Sequence, residues 1–152
     1  MIFPEDFKNK IVVMGFIFTN CPDICPITTN KMRLIQQKIK DDGITNVEFA
    51  GLSFDPERDK PSVLKQYAEI RELDLHNFQF LTGEVDQIKS ILKRVNVTAF
   101  TEDTSYTDDG EPIYFFVHTD RIILIDQEGR IRKEYPGSHI DINEITEDIK
   151  DL

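Results

Sequence analysis

The sequence has only two cysteines and no tryptophan among its 152 residues. So few cysteines exclude a disulfide-rich scaffold, in which several bridges take the place of a hydrophobic core. A hydrophobic fraction of 39% and a charged fraction of 30% instead indicate a globular protein with an ordinary core. The length fits one domain, which we predict to span residues 1–152.

Basic residues are scarce relative to acidic ones. Lys and Arg number 18 against 28 Asp and Glu, which gives a net charge of −10. Nucleic acids and anionic membrane surfaces are bound through basic patches, so this charge balance argues against both as partners. The sequence contains no repeat and no low-complexity tract of the kind found in fibrous or disordered proteins.

Long apolar runs are also missing. The run at residues 11–18 is far too short to cross a bilayer. The first residues, Met1-Ile2-Phe3-Pro4-Glu5-Asp6, lack the basic region and apolar core of a signal peptide. We therefore expect any export signal or membrane anchor to lie upstream of Met1 or to be absent.

The two cysteines lie close together, in Cys21-Pro22-Asp23-Ile24-Cys25-Pro26. Two thiols at this spacing are typical of a redox couple or of a pair of soft metal ligands. A structural disulfide is the other interpretation, but closing so short a loop contributes only about 2 kcal/mol. A chain of this length can build a hydrophobic core and does not depend on a disulfide for its stability, which favours a functional pair.

The prolines after the cysteines predict the local backbone. A residue before proline is disfavoured in the helical region, so both cysteines are expected on non-helical backbone. Proline suits the first position of a helix, so we predict a helix from Pro26 with Cys25 as its N-cap. The positive end of the helix dipole would then favour a thiolate at Cys25.

Hydrophobic periodicity predicts alternating strands and helices, then a hairpin and a last helix capped by Asp141. Strands are predicted at residues 11–18, 47–54, 78–81 and 113–117, helices at 26–41, from Pro61 and at 84–96, and the hairpin at 121–126 and 130–135. Residues 98–112, which are polar and acidic, are predicted to form a surface insertion. The order predicts an α/β fold with a mixed sheet flanked by helices, which is the thioredoxin-like (peroxiredoxin-like) layout.

Three histidines are candidates for a third metal ligand. His118 follows the predicted strand 113–117, and strand ends are frequent sites of chemistry. His76 and His139 lie in polar turns and are interpreted as exposed loop residues. Two thiolates and one imidazole would form a soft donor set that selects copper, Cu(I) or Cu(II). Zinc would need a fourth ligand or an open water position, and Asp23 is the nearest candidate for that ligand.

Several motifs together resemble the Sco/SenC family of copper-binding, thioredoxin-fold proteins that assist cytochrome c oxidase assembly. They are Phe16-Ile17-Phe18-Thr19-Asn20-Cys21-Pro22-Asp23-Ile24-Cys25-Pro26, Ser53-Phe54-Asp55-Pro56-Glu57-Arg58-Asp59, Lys65-Gln66-Tyr67-Ala68, His118-Thr119 and Leu124-Ile125-Asp126-Gln127-Glu128-Gly129. The first two are specific, and the set covers most of the chain in the expected order.

The resemblance implies that Cys21, Cys25 and His118 bind copper. It implies a metallochaperone that acts on the dicopper centre of cytochrome c oxidase subunit II. Its role there would be either to supply copper or to reduce the cysteines of that centre. It also implies a location on the extracytoplasmic face of a membrane, in a bacterial periplasm or cell envelope, and we expect a monomer. The chain departs from the family in having Val117 before the histidine, Asn20 where some relatives have histidine, and a shortened or missing N-terminal hairpin.

Two other activities compete with copper binding. A thiol–disulfide oxidoreductase would use Cys21 and Cys25 on the cysteines of a partner protein, although thioredoxin-type couples usually have two residues between the cysteines rather than three. A peroxidase of the peroxiredoxin class would need an activated cysteine with a supporting arginine, for which Arg58 is the candidate.

Overall fold

The computed structural model describes residues 5–21, 24–101, 104–113 and 116–152. Along the chain the elements are a 3-10 turn (Glu5–Phe7), β1 (Ile11–Ile17), α1 (Ile24–Asp41), β2 (Val47–Ser53), α2 (Pro61–Ile70), β3 (Phe78–Leu81), α3 (Val85–Arg94), β4 (Ala99–Thr101), β5 (Ser105–Tyr106), β6 (Pro112–Ile113), β7 (Phe116–His118), β8 (Arg121–Ile125), β9 (Ile131–Pro136) and α4 (Ile142–Lys150).

The main sheet has five strands in the order β3-β2-β1-β8-β9. Strands β1, β2 and β3 run parallel, whereas β8 is antiparallel to β1 and β9 is antiparallel to β8. The prediction of a mixed sheet with a C-terminal hairpin and helix is therefore confirmed. Because β1 and β2 are parallel, the loop after β1 and the loop after β2 emerge at the same edge of the sheet. The start of β8 lies at that edge too, since Ile122 pairs with Gly15 near the end of β1.

Helices cover both faces of the sheet, which explains why every residue of β1 is buried. Helices α1 and α4 pack on one face through Met32, Ile35, Ile145 and Ile149. On the other face, α2 and α3 contribute apolar side chains such as Leu64, Tyr67, Ile88 and Leu92. The apolar stripe predicted for α1 thus faces the core.

The last helix begins as predicted. The Asp141 carboxylate accepts hydrogen bonds from the backbone N–H groups of Asn143 and Glu144. Ile140 and Ile145 on either side of this cap are both buried. This cap satisfies donors that the first turn of a helix leaves without partners.

Part of the predicted surface insertion is ordered as strands. Residues 104–112 are exposed, as expected, but β5 and β6 pair within this segment as a small antiparallel ladder. At the start of the segment, β4 pairs with β7, the strand that ends at His118. The polar composition concealed these short strands. Residues 114 and 115 of the predicted strand 113–117 lie outside the described residues.

The turn between β8 and β9 is organised by Asp126, whose side chain is 2% exposed. Its carboxylate accepts hydrogen bonds from the backbone N–H groups of Glu128 and Arg130 and from the Arg130 and Arg132 guanidinium groups. Burial by itself would raise the pKa of Asp126, but these hydrogen bonds outweigh it and hold the pKa at about 2. Asp126 lies at the opposite end of β8 from Arg121 and hence far from the cysteine loop.

We expect Asp126→Asn to lower stability at neutral pH and to lose that difference in acid. A carboxylate whose pKa is lower in the folded than in the unfolded state stabilises the fold above the unfolded value, here 3.8. That contribution is lost as the pH falls toward about 2. Urea unfolding of both proteins at pH 7, 4 and 2.5 should show the difference between them shrinking, and a pH-independent difference would contradict the assignment.

No helix within the described part of the chain is both long and apolar enough to cross a membrane.

Candidate metal centre

The structure brings both cysteines and one histidine together. One ligand atom from each of Cys21, Cys25 and His118 lies within 4.8 Å of the other two. Cys25 Sγ and His118 Nε2 are 3.6 Å apart although the residues are 93 positions apart in sequence. This is the one cluster of three or more His, Cys, Asp or Glu groups with metal-binding spacing among the described residues. Both cysteines are thiols rather than a disulfide.

The helix that carries Cys25 begins earlier than predicted. Helix α1 starts at Ile24, so Cys25 and Pro26 both lie in its first turn. The prediction that Cys25 is a non-helical N-cap is therefore wrong. Pro26 is tolerated because first-turn N–H groups have no partner within the helix. The N–H of Cys25 instead donates a hydrogen bond to Cys21 Sγ at 3.4 Å. The positive end of the helix dipole therefore favours a thiolate at Cys21 rather than at Cys25.

The two thiols differ in exposure. Cys25 is fully buried, whereas Cys21 is half-buried. The hydrogen bond with Cys21 and burial raise the pKa of the Cys25 thiol well above its usual range. Without a metal, Cys25 is therefore a protonated thiol at neutral pH, and it must lose this proton when a metal binds.

His118 is held with one ring nitrogen directed at the cysteines. Its Nδ1 lies 3.0 Å from the carbonyl oxygen of Thr119. A carbonyl only accepts hydrogen bonds, so Nδ1 carries the proton and neutral Nε2 keeps its lone pair for a metal. The ring also contacts Phe18 edge-on and Phe54, with centroid distances of 6.0 and 4.7 Å. These contacts leave the imidazole little freedom to turn away.

The pKa of His118 is raised above its ordinary value. Burial by itself lowers this pKa, but the hydrogen bonds to Cys21 and the Thr119 carbonyl, and the nearby negative charges of Cys21 and Asp120, outweigh it. The site is thus an anionic environment that favours a bound cation.

A buried carboxylate supports the loop that carries Cys21. Asp59 is fully buried and accepts hydrogen bonds from Thr19 and Ser53. The Thr19 N–H lies 3.1 Å from Oδ2, the Thr19 hydroxyl 2.5 Å from Oδ1, and the Ser53 hydroxyl 2.6 Å from Oδ2. Asp59 therefore links the loop after β2 to the chain two residues before Cys21, and residues 56–58 of that loop form a turn.

Of the other candidate residues, the structure describes His76, His139 and Arg58. His76 and His139 are exposed, as expected. Asp23, the candidate fourth ligand, lies outside the described residues. The Arg58 Nε donates a hydrogen bond to the Asp55 carboxylate at 2.6 Å.

Sequence reasoning missed Asp120, which lies two residues after His118. Its carboxylate accepts hydrogen bonds from the Thr28 hydroxyl and from the backbone and hydroxyl of Ser138. An acidic residue so close to a candidate ligand was a visible signal. Its partners were not visible, because they are 92 and 18 positions away in sequence.

Comparison with known proteins identifies the family. The SCO1/SenC family model matches residues 2–152. The SCO1 protein homolog of Bacillus subtilis is 31% identical over 147 residues, which are 96% of this chain and 72% of that protein. Five further curated relatives are matched over only 40 to 62% of their own length.

Two solved structures share the fold. Arabidopsis thaliana ScoI with copper bound has a TM-score of 0.80 and 28% identity, with 96% of this chain and 86% of that chain covered. BsSco, described as a member of the Sco family of cytochrome c oxidase assembly proteins with a disulfide switch, has a TM-score of 0.76 and 31% identity, with 97% and 82% covered. From the family model and these relatives we conclude that the chain belongs to the SCO1/SenC family.

Proposed function

We propose that this chain is a copper-binding metallochaperone that holds one copper ion through Cys21, Cys25 and His118. The observation that carries the proposal is the meeting of two sulfurs and one imidazole nitrogen within 4.8 Å. We further propose that the copper is cargo for the dicopper centre of cytochrome c oxidase subunit II. This step rests on family membership and on the assembly role stated for BsSco.

The donor set suits copper better than the alternatives. Thiolate sulfur selects Cu(I), and imidazole accommodates Cu(II) as well, so the same three ligands suit both oxidation states. Zinc would need a fourth ligand or an open position. The aromatic rings of Phe18 and Phe54 on one side of His118 give the site a largely apolar wall.

The exposure of the ligands supports release as well as binding. Cys21 and His118 are only partly buried, whereas Cys25 is fully buried in the core. A partner's thiolate can therefore approach the copper from the Cys21 side while Cys25 still holds the ion. Such a partner would meet the chain on the extracytoplasmic face of a membrane, where we place its function.

A thiol–disulfide oxidoreductase is the competing function, and the buried state of Cys25 argues against it. In such a reaction Cys21 would attack a partner disulfide and Cys25 would resolve the mixed disulfide, leaving Cys21–Cys25 oxidised and two partner thiols reduced. The attack needs an accessible thiolate, and the resolving thiol must itself lose a proton. The raised pKa of Cys25 slows that second step.

The test is copper binding and transfer by the reduced chain. In competition with a chelator of known affinity, we expect one Cu(I) per chain, with both thiols protected from alkylation and weaker binding of Zn(II). The loaded chain should then pass copper to a reduced, copper-free subunit II domain. Fast reduction of the oxidised domain with no stoichiometric copper binding would instead establish the oxidoreductase and overturn the proposal.

A further inference from the structure

The carboxylate of Asp120 joins three separate segments beside the metal ligands. Its Oδ1 accepts a hydrogen bond from the Thr28 hydroxyl at 3.0 Å. Its Oδ2 accepts hydrogen bonds from the Ser138 N–H at 2.9 Å and from the Ser138 hydroxyl. Thr28 lies about one helical turn after Cys25, and Asp120 lies two residues after His118. The Asp120 side chain therefore connects the helix that carries Cys25 to the segment that carries His118.

The connection matters because the strand of His118 lies outside the main sheet. Strand β7 pairs with β4 in a separate two-stranded ladder. The main sheet resumes only at Arg121, where β8 begins. Asp120 therefore occupies the junction between the two sheets, where backbone pairing does not fix the distance from His118 to the helix of Cys25.

The carboxylate is closely packed where it makes these contacts. Thr28 is 1% exposed, and Gly137 is buried beside it. A Cβ atom at Gly137 would overlap Asp120 Oδ1 and would lie 3.0 Å from Thr28 Cγ2. The absence of a side chain at this position lets the carboxylate, the helix and the loop after β9 meet.

The charge of Asp120 also reaches the ligands. Its Oδ1 is hydrogen-bonded to Thr28, three residues after Cys25, and Asp120 itself lies two residues after His118, so the carboxylate is close to both ligands. Two thiolates and a neutral imidazole give a net charge of minus one with Cu(I) and zero with Cu(II). A nearby fixed negative charge therefore stabilises the Cu(II) state more than the Cu(I) state.

We propose that Asp120 is a positioning residue of the copper site, whose carboxylate holds His118 at bonding distance from the helix that carries Cys25 and whose charge favours Cu(II) over Cu(I). This inference rests on the proposed function for its copper part. Its structural part, in which Asp120 acts as a clamp between the strand of His118 and the helix of Cys25, applies equally to the metal-free chain.

The metal-free test measures the alkylation rate of Cys25, which is buried when the helix and the His118 loop are held together. Asp120→Asn and Thr28→Val should each raise this rate about tenfold, whereas Thr28→Ser, which keeps the hydroxyl, should stay near the parent. Asp126→Asn is the matched control, because it removes a similarly hydrogen-bonded carboxylate at the far end of the molecule and should leave the Cys25 rate unchanged. Parent-like rates in both Asp120→Asn and Thr28→Val, or an equal increase in Asp126→Asn, would overturn the clamp.

The copper-loaded test measures the affinity for each oxidation state and the sulfur-to-Cu(II) charge-transfer band. Outer-shell substitutions typically weaken a metal site 10- to 100-fold, and for Asp120→Asn we expect about tenfold for Cu(II), less for Cu(I), and a shifted band. The Asp126→Asn control should keep the parent spectrum. Equal weakening of both oxidation states with an unshifted band would refute the charge role. If the parent bound no copper, the proposed function would fail, while the alkylation rates would still decide the clamp.

Discussion

His118→Ala should weaken Cu(I) binding about a hundredfold while leaving the fold and both thiols in place. Four-ligand zinc sites in small peptides contribute about 10–16 kcal/mol, or roughly 3 kcal/mol per ligand, which corresponds to about two powers of ten in affinity. His118 is the only nitrogen donor in the cluster of described residues, and its Nε2 is already directed at Cys25 Sγ. Its loss leaves a two-sulfur site with one open side.

The matched control is His76→Ala, which removes an exposed imidazole from the same chain. That variant should bind Cu(I) like the parent. Chelator competition at pH 7 measures both affinities on one scale, and circular dichroism confirms that the variants are folded. Parent-like Cu(I) affinity in His118→Ala would exclude the histidine from the site and leave only a dithiol.

Asp59→Asn should lower the free energy of unfolding by about 1–3 kcal/mol, the usual cost of leaving a hydrogen-bonding group inside a protein without its partner. The amide has nearly the same shape, but its NH₂ group cannot accept the hydrogen bonds that Thr19 and Ser53 donate to the carboxylate. The hydroxyl that faces this NH₂ group therefore loses the oxygen that accepted its hydrogen bond. Because Thr19 lies two residues before Cys21, copper affinity should fall as well.

The control is Asp109→Asn on the exposed hairpin of β5 and β6. A surface change of this kind is expected to stay within about 0.5 kcal/mol of the parent. Urea unfolding followed by circular dichroism compares the three proteins at neutral pH. Equal stabilities of Asp59→Asn and the parent would show that the buried network does not support the cysteine loop.

Much of the fold was predictable because hydrophobic periodicity records burial directly. Strand β1 is an unbroken apolar run and proved to be covered by helices on both faces. The cap at Asp141 and the hairpin of β8 and β9 also follow from local chemistry, since the residues that form them are close in sequence. The extent of the single domain remains a prediction.

The start of α1 was mispredicted because a local preference was outweighed. A residue before proline disfavours helical backbone, yet Cys25 is helical. Its N–H gains a hydrogen bond to Cys21 Sγ, and its side chain is buried in the core. Contacts of this kind depend on the folded loop and leave no pattern in the sequence.

The site was only partly predictable for a related reason. The cysteine pair is visible in the sequence, but the pairing with His118 spans 93 residues and rested on family resemblance. The Asp120 clamp joins Thr28 and Ser138 through three-dimensional proximity alone. Strand β4, which pairs with the strand that carries His118, was hidden in the segment predicted to be a polar insertion.

The coordination shell of bound Cu(I) gives the most direct evidence for or against a site made by Cys21, Cys25 and His118. Copper K-edge X-ray absorption of the chain loaded with one equivalent of Cu(I) should show two sulfur ligands and one imidazole nitrogen. In His118→Ala the imidazole scattering should disappear while the two sulfurs remain. A shell of sulfur alone in the parent, or an imidazole signal that persists in His118→Ala, would contradict this site.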